Sequence, residues 1–186
     1  MTTITSLSDD RFRSLFRDFR KSAFRLETLQ VYDVSYERED FESFLAGQAR
    51  GEVSGISGYA ERVRAGTAAG KRFHRVHVVE EPLSDYVRFE AVWSYRETVA
   101  AGEDVRVIPV RRGEWPDGIP RLDYWLFDSA LLVVMNYAED GLFLSAQLSE
   151  EPDRVAEAVR WRDHALALSQ PFSDYAQDFD ELMRRR

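Results

Sequence analysis

The same helix-to-strand pattern occurs twice in the middle of this sequence. A segment ending in Ala-Ala-Gly at residues 68–70 leads to the alternating run 73–78, and a second one, at residues 100–102, leads to the run 104–108. Between the two runs, apolar side chains recur at helical spacing. A strand, a helix of about 17 residues and a second strand are long enough for a parallel crossover. The repeat therefore predicts a parallel strand pair joined by a helix.

Further helices and an antiparallel hairpin are predicted around this unit. Alternation within residues 24–34 indicates another strand, and Asp140-Gly141 between two apolar runs is typical of a hairpin turn. Caps and apolar spacing predict helices at residues 11–21, 37–46, 57–69 and 153–168, with Ser84 or Asp85 capping the crossover helix. We expect one mixed α/β domain, residues 1–186, in which a central mixed sheet with a parallel βαβ crossover and a C-terminal β-hairpin is flanked by helices. Residues 172–186 are predicted to form a C-terminal helical tail.

Composition argues against several classes of protein. The 186 residues include no cysteine, which removes disulfides, thiolate zinc sites and cysteine nucleophiles and favours a reducing cytoplasm. The polar first ten residues lack the apolar core of a signal peptide, and no run approaches the roughly 18 apolar residues of a membrane span. We therefore expect a cytoplasmic protein without membrane contact. The net charge of −8 argues against broad binding of nucleic acid.

Five short segments resemble a family of actinobacterial proteins. They are Ala23-Phe24-Arg25-Leu26-Glu27, Phe44-Leu45-Ala46-Gly47, Pro82-Leu83-Ser84-Asp85-Tyr86 with Arg88-Phe89-Glu90, Ala101-Gly102-Glu103-Asp104-Val105-Arg106-Val107, and Asp123-Tyr124-Trp125-Leu126-Phe127-Asp128. In this order they are similar to the family named domain of unknown function 6879. The resemblance implies a companion of helix-turn-helix regulators with no assigned activity, and a remote similarity to half of a phospholipase D-like domain. The His-x-Lys motif of that chemistry does not occur in this chain, which argues against phosphoryl transfer.

The histidines and serines form no recognisable catalytic or metal centre. His74 and His77 are three residues apart, so a strand directs them to opposite faces, and a zinc site needs further ligands. Ser84, Asp85 and His164 are the residue types of a nucleophilic triad, but no Gly-x-Ser-x-Gly elbow surrounds a serine. We predict no catalytic residue, no metal and no cofactor, and interpret Ser84 as a helix cap.

The carboxyl ends of the predicted parallel strands form the first candidate surface. Ligands of open parallel sheets bind beyond these ends, where the sequence places Glu80, Glu81, Arg111 and Arg112. These charges would suit a polar ligand or the charged tail of a partner. The alternative is a solvated rim of ion pairs, each worth at most about 1 kcal/mol.

Arg25 and Glu27 share one face of the predicted strand within residues 24–34. On that face they could pair with Arg88 or Glu90 of the crossover helix. We interpret this as structural pairing.

The arginines of the first helix form the second candidate surface. Arg13, Arg17 and Arg20 form a stripe opposite its apolar face. The stripe could contact an acidic partner or nucleic-acid phosphates, with residues 184–186 adding to it, and the alternative is a solvated helix face.

Together these observations favour a non-enzymatic regulatory or adaptor protein that binds a partner protein, a helix-turn-helix transcription regulator, through one of the two surfaces. The alternative hypothesis is a small-molecule or nucleotide-binding sensor or enzyme that uses the four charged residues at the strand ends. Direct DNA binding is the weakest hypothesis because the net charge is −8.

Overall fold

One mixed sheet forms the centre of the protein in the computed structural model, which describes residues 2–50 and 55–177. Its strands are β1 (Thr2–Ile4), β2 (Ser22–Glu27), β3 (Arg72–Glu81), β4 (Asp104–Arg111), β5 (Asp123–Phe127), β6 (Leu131–Tyr137), β7 (Phe143–Ser149) and β8 (Gln170–Pro171). They lie in the order β1-β7-β6-β5-β2-β3-β4-β8. β2, β3 and β4 are parallel, and the other pairs are antiparallel. The mixed α/β architecture predicted from the sequence is confirmed.

Helices cover both faces of this sheet. They are α1 (Asp10–Asp18), α2 (Arg38–Leu45), α3 (Gly55–Ala68), α4 (Asp85–Phe89), α5 (Arg96–Ala101) and α6 (Pro152–Leu168). A π-helical segment, Glu90–Tyr95, joins α4 to α5, and we call the continuous unit from Asp85 to Ala101 the crossover helix. No helix of the described part is long and apolar enough to cross a membrane.

The parallel crossover lies where the repeat predicts it. β3 and β4 pair in register from His74 opposite Asp104 to Glu81 opposite Arg111. The Ser84 hydroxyl accepts a hydrogen bond from the backbone N–H of Val87 at 3.1 Å, which confirms its role as a cap.

The predicted hairpin at Asp140-Gly141 joins β6 and β7, which are antiparallel. Gly141 has a φ of +87°, and a Cβ at this position would lie 2.6 Å from the carbonyl oxygen of Val31. The turn therefore needs glycine both for its backbone conformation and for its contact with the segment after β2.

The first helix is shorter than predicted. α1 ends at Asp18, and Phe19 is already extended, with φ −62° and ψ 149°. The carboxylate of Asp128 accepts hydrogen bonds from the backbone N–H groups of Arg20, Lys21 and Ser22, at 2.7, 2.7 and 2.9 Å. These bonds hold the chain out of the helix, so the prediction that Arg20 belongs to α1 is wrong.

The predicted C-terminal tail is described only in part. Residues 172–177 are helical. The remainder of that prediction, residues 178–186 with the three arginines at 184–186, lies outside the described residues.

The two faces of the central strands bury different side chains. On the face covered by α6 the core is apolar and consists of residues such as Phe24, Leu26, Val76, Val78 and Tyr124. Each large apolar side chain buried there contributes about 1.5–3 kcal/mol. The opposite face packs against α1, α3 and the crossover helix, and charged side chains interrupt its apolar residues.

Candidate functional site

Seven ionisable side chains meet inside the protein, on the sheet face opposite α6. We call this set the charge cluster, and its members are Arg25 and Glu27 on β2, Arg75 and His77 on β3, Glu90 on the π-helical segment, Glu103 before β4, and Asp123 on β5. All seven are buried. Strand alternation places Arg25 and Glu27 on one face, as predicted.

The predicted partners of this strand pair are found only in part. Glu90 belongs to the charge cluster, whereas Arg88 lies 3.7 Å from the exposed carboxylate of Asp85. The principal partners, Arg75 and Asp123, come from the neighbouring strands and were not anticipated.

Glu27 connects the two guanidinium groups of the cluster. Its carboxylate lies 3.1 Å from Nη1 of Arg75 and 3.6 Å from Nε of Arg25. Nε of Arg75 also donates to Glu103 at 2.9 Å. Burial alone would raise the pKa of Glu27, but Arg75 and Arg25 outweigh it and hold the pKa at about 2. Glu27 is therefore an ion that its two partners keep charged.

Asp123 fixes the segment that follows β2. Its carboxylate accepts hydrogen bonds from Nη2 of Arg25 at 2.8 Å and from the Tyr32 hydroxyl at 2.6 Å. The backbone N–H and the hydroxyl of Thr28 donate to it as well, at 2.8 and 2.5 Å. The buried carboxylate of Asp123 thus joins β5 to β2 and to the segment after β2. All of these partners are distant from it in sequence.

The protonation of His77 follows from its hydrogen bonds. Nε2 lies 2.7 Å from the carbonyl oxygen of Leu29, so this nitrogen carries the proton, and Nδ1 accepts from the Tyr95 hydroxyl at 2.7 Å. Tyr95 then has no second proton for Glu27 or Glu90, whose carboxyl oxygens lie 3.2 and 3.3 Å away. Burial and the charge of Glu27 raise the pKa of Glu90, which favours its protonated form, and in that form Glu90 can donate to Tyr95.

The π-helical segment Glu90–Tyr95 brings two of these groups together. A π turn pairs residues five positions apart, so its first and last residues project to the same side of the helix. In an α-helix, side chains five positions apart would diverge. Such segments are rare and frequently mark functional sites. The sequence gives no local signal for this one.

The charge cluster is closed rather than open to substrate. Both guanidinium groups are paired with carboxylates of the cluster, although Nη1 of Arg25 and Oε2 of Glu103 have no hydrogen-bond partner in the described structure. Burial lowers the pKa of His77, which favours its neutral form. A nucleophile or base that works on a soluble substrate needs access to it. The cluster is therefore suited to holding the strands and the crossover helix in one arrangement.

His74 and His77 point to opposite faces, as predicted. His74 lies against the Phe24 ring, with centroids 5.0 Å apart, on the side that α6 covers. Across residues 2–50 and 55–177, no group of three or more His, Asp or Glu side chains could hold a metal ion. Ser84 and His164, which the sequence offered as members of a triad, have separate partners. Ser84 caps the crossover helix, and His164 contacts the carbonyl oxygen of Asp117.

At the predicted strand-end surface, the fold brings two of the four charged residues into one pocket. Glu81 and Arg111 are register partners at the ends of β3 and β4, and both line a pocket of about 650 Å³. Glu80 and Arg112 do not line it. Glu114, Gln170 and Tyr175 complete the polar lining. These three come from later segments, so no strand-end pattern could have indicated them.

The predicted arginine stripe is exposed and lies beside further cations. Arg13, Arg17 and Arg20 are all exposed, although Arg20 lies beyond the end of α1. Lys71 donates from Nζ to the carbonyl oxygen of Arg17 at 3.1 Å, and the Arg62 guanidinium lies 5.5 Å from the centre of the Phe16 ring. We call these five cationic residues the basic surface.

The comparison with one solved structure shows a shared fold. NucT from Helicobacter pylori superimposes with a TM-score of 0.51 and 8% identity over 91% of this chain and 97% of that one. TrmBL2, an archaeal chromatin protein whose structure shows a novel mode of DNA binding, gives a TM-score of 0.47 and 8% identity over 91% of this chain and 53% of that one. A search of curated proteins gives no match. At such identities the likeness to NucT concerns the fold alone.

A family model gives the more specific result. The model described as "Domain of unknown function (DUF6879)" matches residues 10–177, which include all five segments that carry the resemblance. This match extends over most of the 186 residues. The chain therefore belongs to the DUF6879 family.

Proposed function

We propose that the protein is a non-enzymatic regulatory or adaptor protein, which binds an acidic surface of a partner protein through its basic surface. The observation that carries this proposal is the set of exposed arginines at α1, Arg13, Arg17 and Arg20, to which Lys71 and Arg62 add cations that contact the same helix, in a chain whose net charge is −8. A local positive field in an acidic protein attracts an acidic partner and sets the orientation in which it docks.

The state of the ionisable groups supports binding rather than catalysis. Active sites hold groups with perturbed pKa values where substrate can reach them. Here the pKa values of Glu27, Glu90 and His77 are strongly perturbed, but these side chains are buried and contact one another.

The mixture of charges on α1 favours a protein over nucleic acid. Arg17 lies 3.4 Å from the carboxylate of Asp10, and Asp18 is exposed on the same helix. A phosphate backbone would meet these carboxylates as well as the arginines, whereas a protein partner can match both signs. The net charge of −8 adds a long-range repulsion against nucleic acid.

The partner to test first follows from the family resemblance. It implies that members accompany helix-turn-helix regulators, so the regulator encoded nearest to this protein is the first candidate. We expect the two proteins to co-purify and to form a complex at micromolar concentration, as measured by light scattering.

Charge reversal tests the surface itself. Replacing Arg13→Glu together with Arg17→Glu is expected to weaken the complex by roughly tenfold or more and to reduce its salt dependence. Adding Arg20→Glu shows whether the contact continues past the helix end. The matched control is Arg121→Glu with Arg160→Glu, two exposed arginines outside both candidate surfaces, which makes the same change in net charge.

Two outcomes would overturn the proposal. The first is the absence of a complex at micromolar concentration. The second is equal weakening by the α1 variant and by the control variant, because net charge rather than the basic surface would then determine binding. Thermal unfolding followed by circular dichroism verifies that each variant is folded.

A further inference from the structure

The pocket at the ends of β3 and β4 is assembled from distant parts of the chain. Glu81 ends β3, residues 109–111 end β4, Glu114 lies in the following turn, and Gln170 and Tyr175 come from the C-terminal part. Its volume of about 650 Å³ lies within the range of roughly 300–1,000 Å³ that is usual for small-molecule sites. The pocket therefore has room for a metabolite-sized ligand.

Because β8 is short, the edge of β4 next to this pocket is left uncovered. β8 pairs only with Arg106 and Val107, although β4 continues to Arg111. Within the described residues, no strand lies on the outer side of β4 beyond Val107. The pocket opens at that uncovered end of the strand.

Three charges face this pocket, and two of them are not paired within the described residues. Arg111 and Glu114 share a turn, in which the Glu114 N–H donates to the Arg111 carbonyl at 2.9 Å, but their side chains form no ion pair. Glu81 differs because the Tyr175 hydroxyl donates to its carboxylate at 2.8 Å. The pocket thus offers one guanidinium and two carboxylates, one of them held in position.

We propose that this pocket binds a small basic amino acid, a ligand with two amines and one carboxylate. Arg111 would receive the carboxylate through a two-pronged hydrogen bond, and Glu81 and Glu114 would receive ammonium groups. The formal charge of the lining, −1, matches the +1 of such a ligand. Pro109 and Val110 provide apolar surface for an aliphatic stem.

The same charges disfavour a nucleotide. Two carboxylates would face the phosphates, and the second predicted guanidinium, that of Arg112, does not line the pocket. A phosphate site concentrates cations or backbone N–H groups. The structure thus favours an amine over the nucleotide that the sequence left open.

Calorimetric titration of the full chain at low ionic strength tests this site. L-lysine is expected to bind, and L-glutamate and ATP are not. Glu114→Gln should weaken L-lysine binding by roughly tenfold or more, because a charged hydrogen-bond partner is lost.

Cadaverine, which is lysine without its carboxylate, tests the role of Arg111 directly. The wild type should prefer L-lysine to cadaverine, and Arg111→Gln should remove that preference without weakening cadaverine binding. Arg112→Gln, the next arginine in the chain, is the matched control and should bind both ligands as the wild type does.

The proposal is overturned if neither amine binds at millimolar concentration, or if Arg112→Gln changes binding as much as Arg111→Gln does. Because the titration contains no partner protein, its result does not depend on the proposed regulator complex. Failure of one proposal therefore leaves the other intact.

Discussion

β2 and β3 present two unlike faces, separated by a shift of one residue along each strand. Under α6 they bury the apolar side chains Phe24, Leu26, Val76 and Val78. On the other side they bury Arg25, Glu27, Arg75 and His77. Both faces are sealed from solvent, so hydrophobicity alone does not define the interior of this protein. The charged face forms because neighbouring strands supply partners diagonally: Arg25 lies opposite Arg75 in register, but Glu27 pairs with Arg75 and Asp123 pairs with Arg25.

The two faces should stabilise the fold in different ways. Apolar burial is non-directional, so it tolerates side chains of similar volume. A buried ion loses several kcal/mol of hydration, which only well-placed partners offset. Removing one partner then leaves the other charge buried and unpaired. The apolar face should accept conservative replacements that the charged face rejects.

The largest difference is expected at Arg75. Arg75→Met keeps the length of the side chain but leaves Glu27 and Glu103 without their shared partner. We expect the free energy of unfolding to fall by about 3–5 kcal/mol. Leu26→Met, on the apolar face of the adjacent strand, should cost less than about 1.5 kcal/mol. Urea denaturation at neutral pH measures both values, and similar losses would remove the distinction between the faces.

Two glutamates within the charged face provide a sharper test. Both lie near the Tyr95 hydroxyl, but the pKa of Glu27 is lowered, which favours its ionised form, and the pKa of Glu90 is raised, which favours its protonated form. Glutamine resembles the protonated acid and not the ion. Glu27→Gln should therefore destabilise the fold by about 3 kcal/mol at neutral pH. Glu90→Gln should cost under about 1 kcal/mol, since it keeps a donor for Tyr95.

The pH dependence of stability in these two variants distinguishes an ionised glutamate from a protonated one. The folded pKa of Glu27 is about 2, below its ordinary value of 4.5, so its contribution is present above pH 4.5 and is lost as the pH falls towards 2. Glu27→Gln should lack this loss. The folded pKa of Glu90 is raised, so wild-type stability falls as the pH rises above 4.5, and Glu90→Gln should lessen that fall. Chemical denaturation from pH 3 to pH 9 gives these slopes, and identical profiles would contradict the assignment.

Local patterns were sufficient for much of the fold. The repeated Ala-Ala-Gly helix ends predicted the parallel pair β3 and β4, and Asp140-Gly141 predicted the hairpin between β6 and β7. Both signals lie within a few residues of the structure that they determine. The end of α1 could not be predicted in this way. It depends on Asp128, which is 108 residues from Arg20 in sequence.

The charge cluster and the strand-end pocket also depend on residues that are distant in sequence. Alternation placed Arg25 and Glu27 on one face, but their partners depend on the strand order, which puts β3 on one side of β2 and β5 on the other. The strand-end rule indicated Glu81 and Arg111. It could not indicate Tyr175, whose hydrogen bond to Glu81 spans 94 residues.

The smallest expected effect concerns the apolar face, where β2 and β3 bury one ionisable side chain, His74. Neither ring nitrogen has a hydrogen-bond partner in the described structure. Burial, aided by the charges of Arg72 and Arg162, lowers the pKa of His74 from 6.5 to about 4. The folded protein therefore keeps His74 neutral. Its contribution is present above pH 6.5 and is lost as the pH falls towards 4.

His74→Leu tests whether this face responds to acid through a single residue. At pH 8 the variant should unfold within about 1.5 kcal/mol of the wild type, because the two side chains are similar in volume. Between pH 8 and pH 5 the wild type should lose about 2 kcal/mol more than the variant does. His77 remains in both proteins, so its own response to acid cancels in this difference. Parallel pH profiles from urea denaturation would show that the acid response comes from the charged face alone.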